Sequence, residues 1–305
     1  MTCEQLFKQL RGRCPVKQLS LNDEICNYSG ELYEELTKIK EYNPYYVKTV
    51  LKTIIDKSID IEWIYEEYMK VLNVSPPTGG NYEDIIEYPL SNDVTIKIWE
   101  KPKLISCLST TGFRTWEAAL YLCIYFSTMK LDDNTTFLEL GAGTGLVSMF
   151  LYKQLHGQCK NYITDGDTNL LEDSLLKNLR LNEIASKQII RQRLIWNEDK
   201  NIPLDVNILI GADITYDSSY FPQLCQCIHD FLHHDESKCK EMIISCTVRS
   251  EETLAAFRTE ISKVNLTIEL VSNNDPEIIA HMESILYKKL IAPIHVYRII
   301  REVQE

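Results

Sequence analysis

Residues 137–146 read Phe-Leu-Glu-Leu-Gly-Ala-Gly-Thr-Gly-Leu, and this stretch decides the fold. A strand-like segment runs into three glycines at every second position, Gly141, Gly143 and Gly145, and then into the apolar segment 146–155. Glycine tolerates the positive φ of a tight turn and lets a ligand approach the backbone. The helix that follows presents unpaired N–H groups at its first turn. The pattern predicts a strand, a ligand-binding turn and a helix; the alternative is a tight turn without a ligand.

Two kinds of nucleotide site compete for this turn. A dinucleotide site requires G-x-G-x-x-G or G-x-G-x-x-A, and its last position is Leu146 here, so the fingerprint fails by one residue. Glu139 lies two residues before the first glycine. Methyltransferases that use S-adenosylmethionine characteristically have an acidic residue near the strand end followed by G-x-G-x-G. Because a cationic cofactor suits an acidic strand end better than a pyrophosphate, the turn favours S-adenosylmethionine.

A carboxylate also ends the next predicted strand, residues 161–164. Asp165 follows that strand directly, 24 residues after Gly141, where a carboxylate can accept both ribose hydroxyls. Asp167 competes for this role, and either carboxylate alternatively caps the helix that begins near Thr168. The position directly after the strand favours Asp165 as the ribose ligand.

Two regions differ in their hydrophobic pattern. Residues 43–72 have the apolar spacing of amphipathic helices, and Ser-Pro-Pro-Thr-Gly-Gly at 75–80 breaks that pattern. Beyond it, residues 94–99 alternate like a strand, and strand-like segments then alternate with helical ones. This predicts an α/β fold, a mostly parallel sheet covered by helices on both faces, with a helical region over residues 1–85 and the α/β domain over 86–305. The main predicted strands are residues 136–140, 161–164, 189–194, 206–212, 242–248, 266–271 and 294–300.

Composition excludes several classes of protein. The chain has 305 residues and a formal net charge of −12; nucleic-acid binders normally show a basic footprint, so we expect a protein partner and no nucleic acid. No run of about 18 apolar residues is present, and the N-terminus lacks the apolar core of a signal peptide, so we expect a cytoplasmic protein without a membrane partner. Cys225 and Cys227 are two apart in a helical stretch and do not face each other, so no metal site is predicted.

Several motifs occur in the order typical of one family. They are Arg-Thr-Trp-Glu-Ala-Ala-Leu at 114–120, the glycine turn, Thr164-Asp165, Trp196 and Gly-Ala-Asp-Ile-Thr-Tyr at 211–216. The chain thereby resembles the seven-β-strand protein lysine methyltransferases that have a D/E-x-x-Y/F motif after the fourth strand. The N-terminal helical extension, Thr-Asp-Gly-Asp at 164–167 and Asp-Ile-Thr-Tyr at 213–216 are most similar to the eukaryotic elongation factor 2 lysine methyltransferases. The motifs cover about a third of the chain.

This resemblance implies a Rossmann-like class I methyltransferase with a seven-stranded, mostly parallel sheet, S-adenosylmethionine as cofactor and elongation factor 2 as protein partner, methylated to trimethyl-lysine. It implies that Trp116 and the turn contact the methionine portion, Asp165 the ribose and Trp196 the adenine, while Ala212 closes the pocket. Alternatively, Trp116 is a core residue and Trp196 fills a surface groove. The predicted cofactor-binding residues are Trp116, Glu139, Gly141, Ala142, Gly143, Asp165, Trp196 and Ala212.

Methyl transfer to lysine is an in-line displacement that needs a neutral amine, although the pKa of lysine in water is about 10.4. Positioning supplies most of the acceleration, and an apolar channel favours the neutral form. Asp213 is predicted to hold the incoming ammonium and orient the amine. Tyr216 is predicted to wall the channel and present its π face to the cationic product. Alternatively, both form an ordinary strand-end turn; no general base is assigned.

Two other functions fit parts of the pattern. The first is a nucleic-acid or small-molecule methyltransferase on the same fold, but adenine N6 enzymes place two prolines where Ile214 and Thr215 stand here, to stack a flipped base. The second is a non-catalytic, cofactor-stabilised module that binds a translation factor. Turnover of S-adenosylmethionine, and activity on protein rather than nucleic acid, separate these alternatives from a lysine methyltransferase.

Overall fold

The computed structural model describes residues 2–80, 82–104, 111–185, 187–199 and 202–302. Within them, ten α-helices and nine β-strands follow one another along the chain. The helices are α1 (Cys3–Arg11), α2 (Ser29–Lys40), α3 (Pro44–Asp56), α4 (Ile64–Val71), α5 (Glu117–Ser127), α6 (Leu146–Gln154), α7 (Leu175–Leu181), α8 (Phe221–His233), α9 (Glu251–Lys263) and α10 (Pro276–Leu286). The strands are β1 (Asp84–Pro89), β2 (Thr95–Glu100), β3 (Thr136–Leu140), β4 (Lys160–Asp165), β5 (Ile189–Arg193), β6 (Ile208–Ala212), β7 (Glu241–Thr247), β8 (Leu266–Asn273) and β9 (Ile294–Arg301).

Seven strands form one sheet in the order β5-β4-β3-β6-β7-β9-β8. The first five run parallel, and β9 is antiparallel to both of its neighbours. The strands that follow β3 in the chain are added first on one side of it, as β4 and β5, and then on the other side, beginning with β6. β3 is therefore the point at which the strand order reverses. Open α/β sheets bind ligands at such a switch point, outside the carboxyl ends of the strands. The predicted fold, a seven-stranded mostly parallel sheet, is confirmed.

Two apolar cores cover the faces of this sheet. One core packs α5, α6, α7 and α10 against one face and includes Phe137 and Ile163. The other packs α8 and α9 against the opposite face and includes Leu138 and Leu209. Neighbouring residues of a strand point to opposite faces, so the apolar residues of β3 contribute to both cores: Phe137 to the first, and Leu138 and Leu140 to the second. The five residues of β3 are accordingly all buried.

The N-terminal helices have a core of their own that includes Leu6, Leu32 and Ile54. They meet the rest of the chain at Asp84, which is almost fully buried at the start of β1. The Asp84 carboxylate accepts hydrogen bonds from the Arg13 guanidinium, the Asn43 amide and the Tyr82 hydroxyl. Because a buried carboxylate must be paired, this ion pair fixes how the helices sit on the hairpin of β1 and β2.

Several elements differ from the prediction in detail. The helical stretch 43–72 is two helices, because Ser58 has a φ of +54° in the segment between α3 and α4. Strand β1 and helix α10 were not predicted. The predicted helix 168–181 contains a π-helical turn, Leu170–Ser174, before α7. Among the described residues, no helix is both long and apolar enough to cross a bilayer.

Candidate active site

The carboxyl ends of β3, β4 and β6 border a cleft with a volume of about 670 Å³, which is in the usual range for small-molecule sites. All ten residues predicted from the sequence to act in binding or catalysis line this cleft. They are Trp116, Glu139, Gly141, Ala142, Gly143, Asp165, Trp196, Ala212, Asp213 and Tyr216. The fold therefore brings together residues that are up to 100 positions apart in sequence.

The turn between β3 and α6 depends on glycine. Gly141 has a φ of +60°, and a Cβ there would lie 2.7 Å from Cγ2 of Ile214. Gly145 has a φ of +77°, and its Cβ would lie 2.3 Å from Cδ1 of Leu175. A side chain at either position would meet both backbone strain and a packed neighbour. Leu146, at the position of the third glycine of a dinucleotide site, is the first residue of α6 and is buried.

Glu139 lies at the floor of the cleft and is 2% exposed. Its Oε2 accepts a hydrogen bond of 3.0 Å from the backbone N–H of Ser148 in the first turn of α6, so the carboxylate satisfies one of the unpaired donors of that helix. Burial raises the pKa of Glu139 to about 7, because desolvation penalises the charged form. A cation bound in the cleft would favour the ionised carboxylate.

Asp165 and Asp167 have different hydrogen-bond partners. The Asp165 carboxylate accepts hydrogen bonds of 3.0 Å from the N–H groups of Gly143 and Asp167, so it joins the glycine turn to the end of β4. Asp167 caps the following helical segment, since its Oδ1 accepts from the N–H groups of Asn169 and Leu170. Burial raises the pKa of Asp165, while the two N–H donors oppose that rise.

The two tryptophans stand in different parts of the cleft lining. The Trp116 indole donates from Nε1 to the carbonyl of Thr111, and the guanidinium carbons of Arg114 and Arg249 lie 4.8 and 5.4 Å from its ring centroid. Trp196 packs against the core of α8 and α9, and a Cβ on Gly141 would lie 3.6 Å from its Cζ2. The two rings therefore border the cleft among different neighbours.

Asp213 has an unusual backbone conformation and a full set of partners. Its φ is +55°, and its own N–H donates to the carbonyl of Ser245. The carboxylate accepts from the N–H and Oγ1 of Thr247 at 3.1 and 3.2 Å. Arg249 donates from Nη2 and Nη1 at 2.7 and 3.3 Å. The Asp213 side chain is 4% exposed, but that of Arg249 is 45% exposed, so the arginine is the partner that can exchange with an incoming cation.

Tyr216 projects from the same segment and is half-exposed, as is Tyr220 four residues later. Both line the cleft, so two aromatic side chains border its opening to solvent. The apolar surface of an exposed aromatic ring can be buried when a ligand or protein partner contacts it. The described residues that line the cleft include no histidine.

The sequence did not predict the hydrogen-bond partners of Asp213, nor that α8 contributes to the cleft lining. Arg249 and Thr247 lie more than 30 residues after Asp213, and no motif links them to it. Gln223 of α8 also lines the cleft. No local sequence signal could have found these residues, because their placement depends on how β6, β7 and α8 pack.

Comparison with known proteins gives one consistent result. A family model described as "Lysine methyltransferase" matches residues 90–264. The Protein-lysine N-methyltransferase EFM3 of Saccharomyces cerevisiae is 34% identical over 99% of this chain and 100% of its own length. EEF1A lysine methyltransferase 3 of Xenopus tropicalis is 31% identical over 53% of this chain and 69% of its own length. The human Protein-lysine N-methyltransferase EEF2KMT is 24% identical over 73% of this chain and 70% of its own length.

Proposed function

Since this chain belongs to the lysine methyltransferase family and is an S-adenosylmethionine-dependent protein-lysine N-methyltransferase, we propose that its substrate is a lysine of elongation factor 2, which it converts to trimethyl-lysine. The enzyme class and the cofactor predicted from the sequence are confirmed. The observation that carries the catalytic part of the proposal is the position of Asp213 and Tyr216 in the cleft of the glycine turn.

The choice of elongation factor 2 draws on two observations. The human relative EEF2KMT aligns with 73% of this chain, whereas the Xenopus tropicalis relative named for EEF1A aligns with 53%. The motifs at residues 164–167 and 213–216 are similar to those of the elongation factor 2 enzymes, and they support the same choice of substrate.

The cleft fits the cofactor in size and chemistry. We assign the ribose hydroxyls to Asp165, the adenine to Trp196 and the methionine portion to Trp116 and the glycine turn. The buried Glu139 carboxylate supplies negative charge beneath the turn, where a cationic ligand offsets the cost of its burial. When bound, the cofactor would supply a methyl group on a positively charged sulfur: the amine nitrogen would bond to the methyl carbon as the carbon–sulfur bond breaks, and the sulfur would leave as a neutral thioether.

Asp213 is the candidate for orienting the substrate amine. Its carboxylate is held by Thr247 on one side, and Arg249 occupies the other acceptor positions. We propose that the lysine takes the place of the exposed Arg249 guanidinium and donates to the same carboxylate oxygens. The displaced arginine remains nearby, and its positive charge favours the neutral, reactive form of the amine.

Tyr216 is the candidate for the wall of the lysine channel. Its ring is half-exposed at the opening of the cleft, where it can face the methylated ammonium. A cation–π contact is worth about 0.5–2 kcal/mol and does not require N–H donors. It therefore remains useful as successive methyl groups replace the hydrogens of the amine.

We further propose that the helical region, residues 1–85, recognises the protein substrate, with the methyltransferase domain over residues 86–305. Tyr65 and Met69 of α4 are 65% and 64% exposed and lie one turn apart on the same helix face. Deleting the region would uncover the surface around Asp84, so surface variants are the cleaner test. Tyr65→Ser and Met69→Ser should raise KM for the folded substrate without changing cofactor affinity; an unchanged KM would contradict the recognition role.

The substrate is tested by mass spectrometry of elongation factors from cells that lack this protein. We expect loss of a methyl-lysine from elongation factor 2, and its return when the purified enzyme and S-adenosylmethionine are added to the extract. An unchanged methylation pattern on elongation factor 2 would refute this substrate. Loss of a methyl group from elongation factor 1A instead would transfer the assignment to that protein and leave the enzyme class intact.

A further inference from the structure

Gln223 is a partly exposed polar residue that the assignments above do not use. It lies in the first turn of α8, and its side chain lines the cleft. Its Oε1 is buried and has no hydrogen-bond partner among the residues that the structure describes. Buried side-chain oxygens normally have a donor, and each exception in a native protein calls for an explanation. A donor supplied by a ligand in the cleft would explain this one.

Gln223 and Trp196 both line the cleft. Phe221 and Leu224, on either side of it in α8, belong to the apolar core against which Trp196 packs. Ala142 and Ala212 of the cleft lining pack instead against the core on the opposite face of the sheet. The helix that carries Gln223 thus packs on the same face of the sheet as the tryptophan assigned to adenine, whereas the two alanines pack on the opposite face.

We propose that Gln223 recognises the purine of the cofactor, and that its side-chain oxygen accepts a hydrogen bond from the exocyclic amino group of adenine. The inference rests on the placement of adenine against Trp196 proposed above. The ribose hydroxyls are assigned to Asp165, and the cationic groups of the cofactor to the acidic floor at Glu139. The adenine amino group is then the N–H donor of the cofactor that is left for Gln223.

The amide can reach such a ligand without a change in the fold. The terminal torsion of a glutamine side chain is broad and roughly two-fold, so a rotation exchanges the positions of Oε1 and Nε2. An amide can pair with adenine through both atoms, as glutamine does on adenine in nucleic-acid recognition. Gln223 would thereby select a purine with an amino group at this position, because a site built around a hydrogen bond rejects the analogue that lacks it.

The test compares two ligands on matched variants. The ligands are S-adenosylhomocysteine and its 6-deamino analogue, which has hydrogen in place of the amino group. The wild-type chain should bind the first about tenfold more tightly, the effect of one buried hydrogen bond. Gln223→Met keeps the side-chain length but has no amide, so it should bind both ligands equally. Gln223→Glu keeps an acceptor oxygen and should restore the preference.

Gln226→Met serves as the control, because Gln226 is on the same helix and its amide donates to Asp230. It should keep the wild-type preference. Without ligand, Gln223→Met should melt no lower than wild type, since it removes a buried oxygen without a donor. Equal losses for both ligands in Gln223→Met, or a raised KM for the protein substrate alone, would overturn the inference. Neither result would affect the proposed function, which would fail only if the wild-type chain did not methylate its substrate.

Discussion

Replacing Asp213 by asparagine removes the charge of the candidate catalytic group with little change in shape. The choice of residue matters, because Asp213 has a φ of +55°. Asparagine tolerates the left-handed region, whereas alanine there costs roughly 1–2 kcal/mol of backbone strain. Asp213→Asn therefore separates the loss of the carboxylate from a distortion of the strand end, which Asp213→Ala would not.

The magnitude follows from the four hydrogen bonds that the carboxylate accepts. The asparagine oxygen can retain the Thr247 N–H, but its amide nitrogen cannot accept from Arg249. Arg249 is 45% exposed and can turn into water, so no buried charge is left unpaired. Loss of two net hydrogen bonds lowers the free energy of unfolding by about 1–3 kcal/mol, a few degrees in melting temperature. Turnover should fall on the order of 100-fold, because the amine is no longer positioned.

The assay measures single-turnover methylation of the substrate protein together with the dissociation constant of S-adenosylmethionine. We expect the rate to fall and the dissociation constant to stay near the wild-type value. Asp217→Asn is the matched control, because Asp217 is an exposed residue four positions later that caps the turn at Ser219. A rate close to wild type in folded Asp213→Asn, or an equal loss of cofactor affinity, would refute the assignment of Asp213 to the amine.

Substitutions at three further residues test other parts of the cleft. Asp165→Ala should weaken S-adenosylmethionine binding by roughly 1–3 kcal/mol, since a charge-assisted contact is lost; unaltered affinity in calorimetry would remove Asp165 from the site. Tyr216→Phe should keep much more activity than Tyr216→Ala if the ring face is what matters, and equal losses would assign the role to the hydroxyl. Burial raises the pKa of Glu139 to about 7 from its ordinary value of 4.5, so its contribution to stability is full below about pH 4.5 and is lost as the pH rises through 7. Glu139→Gln should flatten the pH dependence of the melting temperature over that interval, and an unchanged slope would mean that another group titrates there.

The sequence alone determined the main architecture. The seven predicted strands all occur in the large sheet, because alternating strand and helix patterns leave few ways to bury apolar faces on both sides. The glycine turn could also be predicted from the sequence, since positive φ and close packing at Gly141 admit almost no other residue. Motifs directly after strands were placed in one cleft, because the carboxyl ends of parallel strands share an edge.

Only the tertiary structure decided which groups meet inside that cleft. The pairing of Asp213 with Arg249, the unpartnered oxygen of Gln223 and the junction of Arg13 with Asp84 join residues on different elements. Strand β1 was missed for the same reason, since six residues beside a proline-rich segment form a strand only through their pairing with β2. Local sequence encodes backbone preference and hydrophobic period, whereas contacts between distant side chains depend on the register and packing of whole elements.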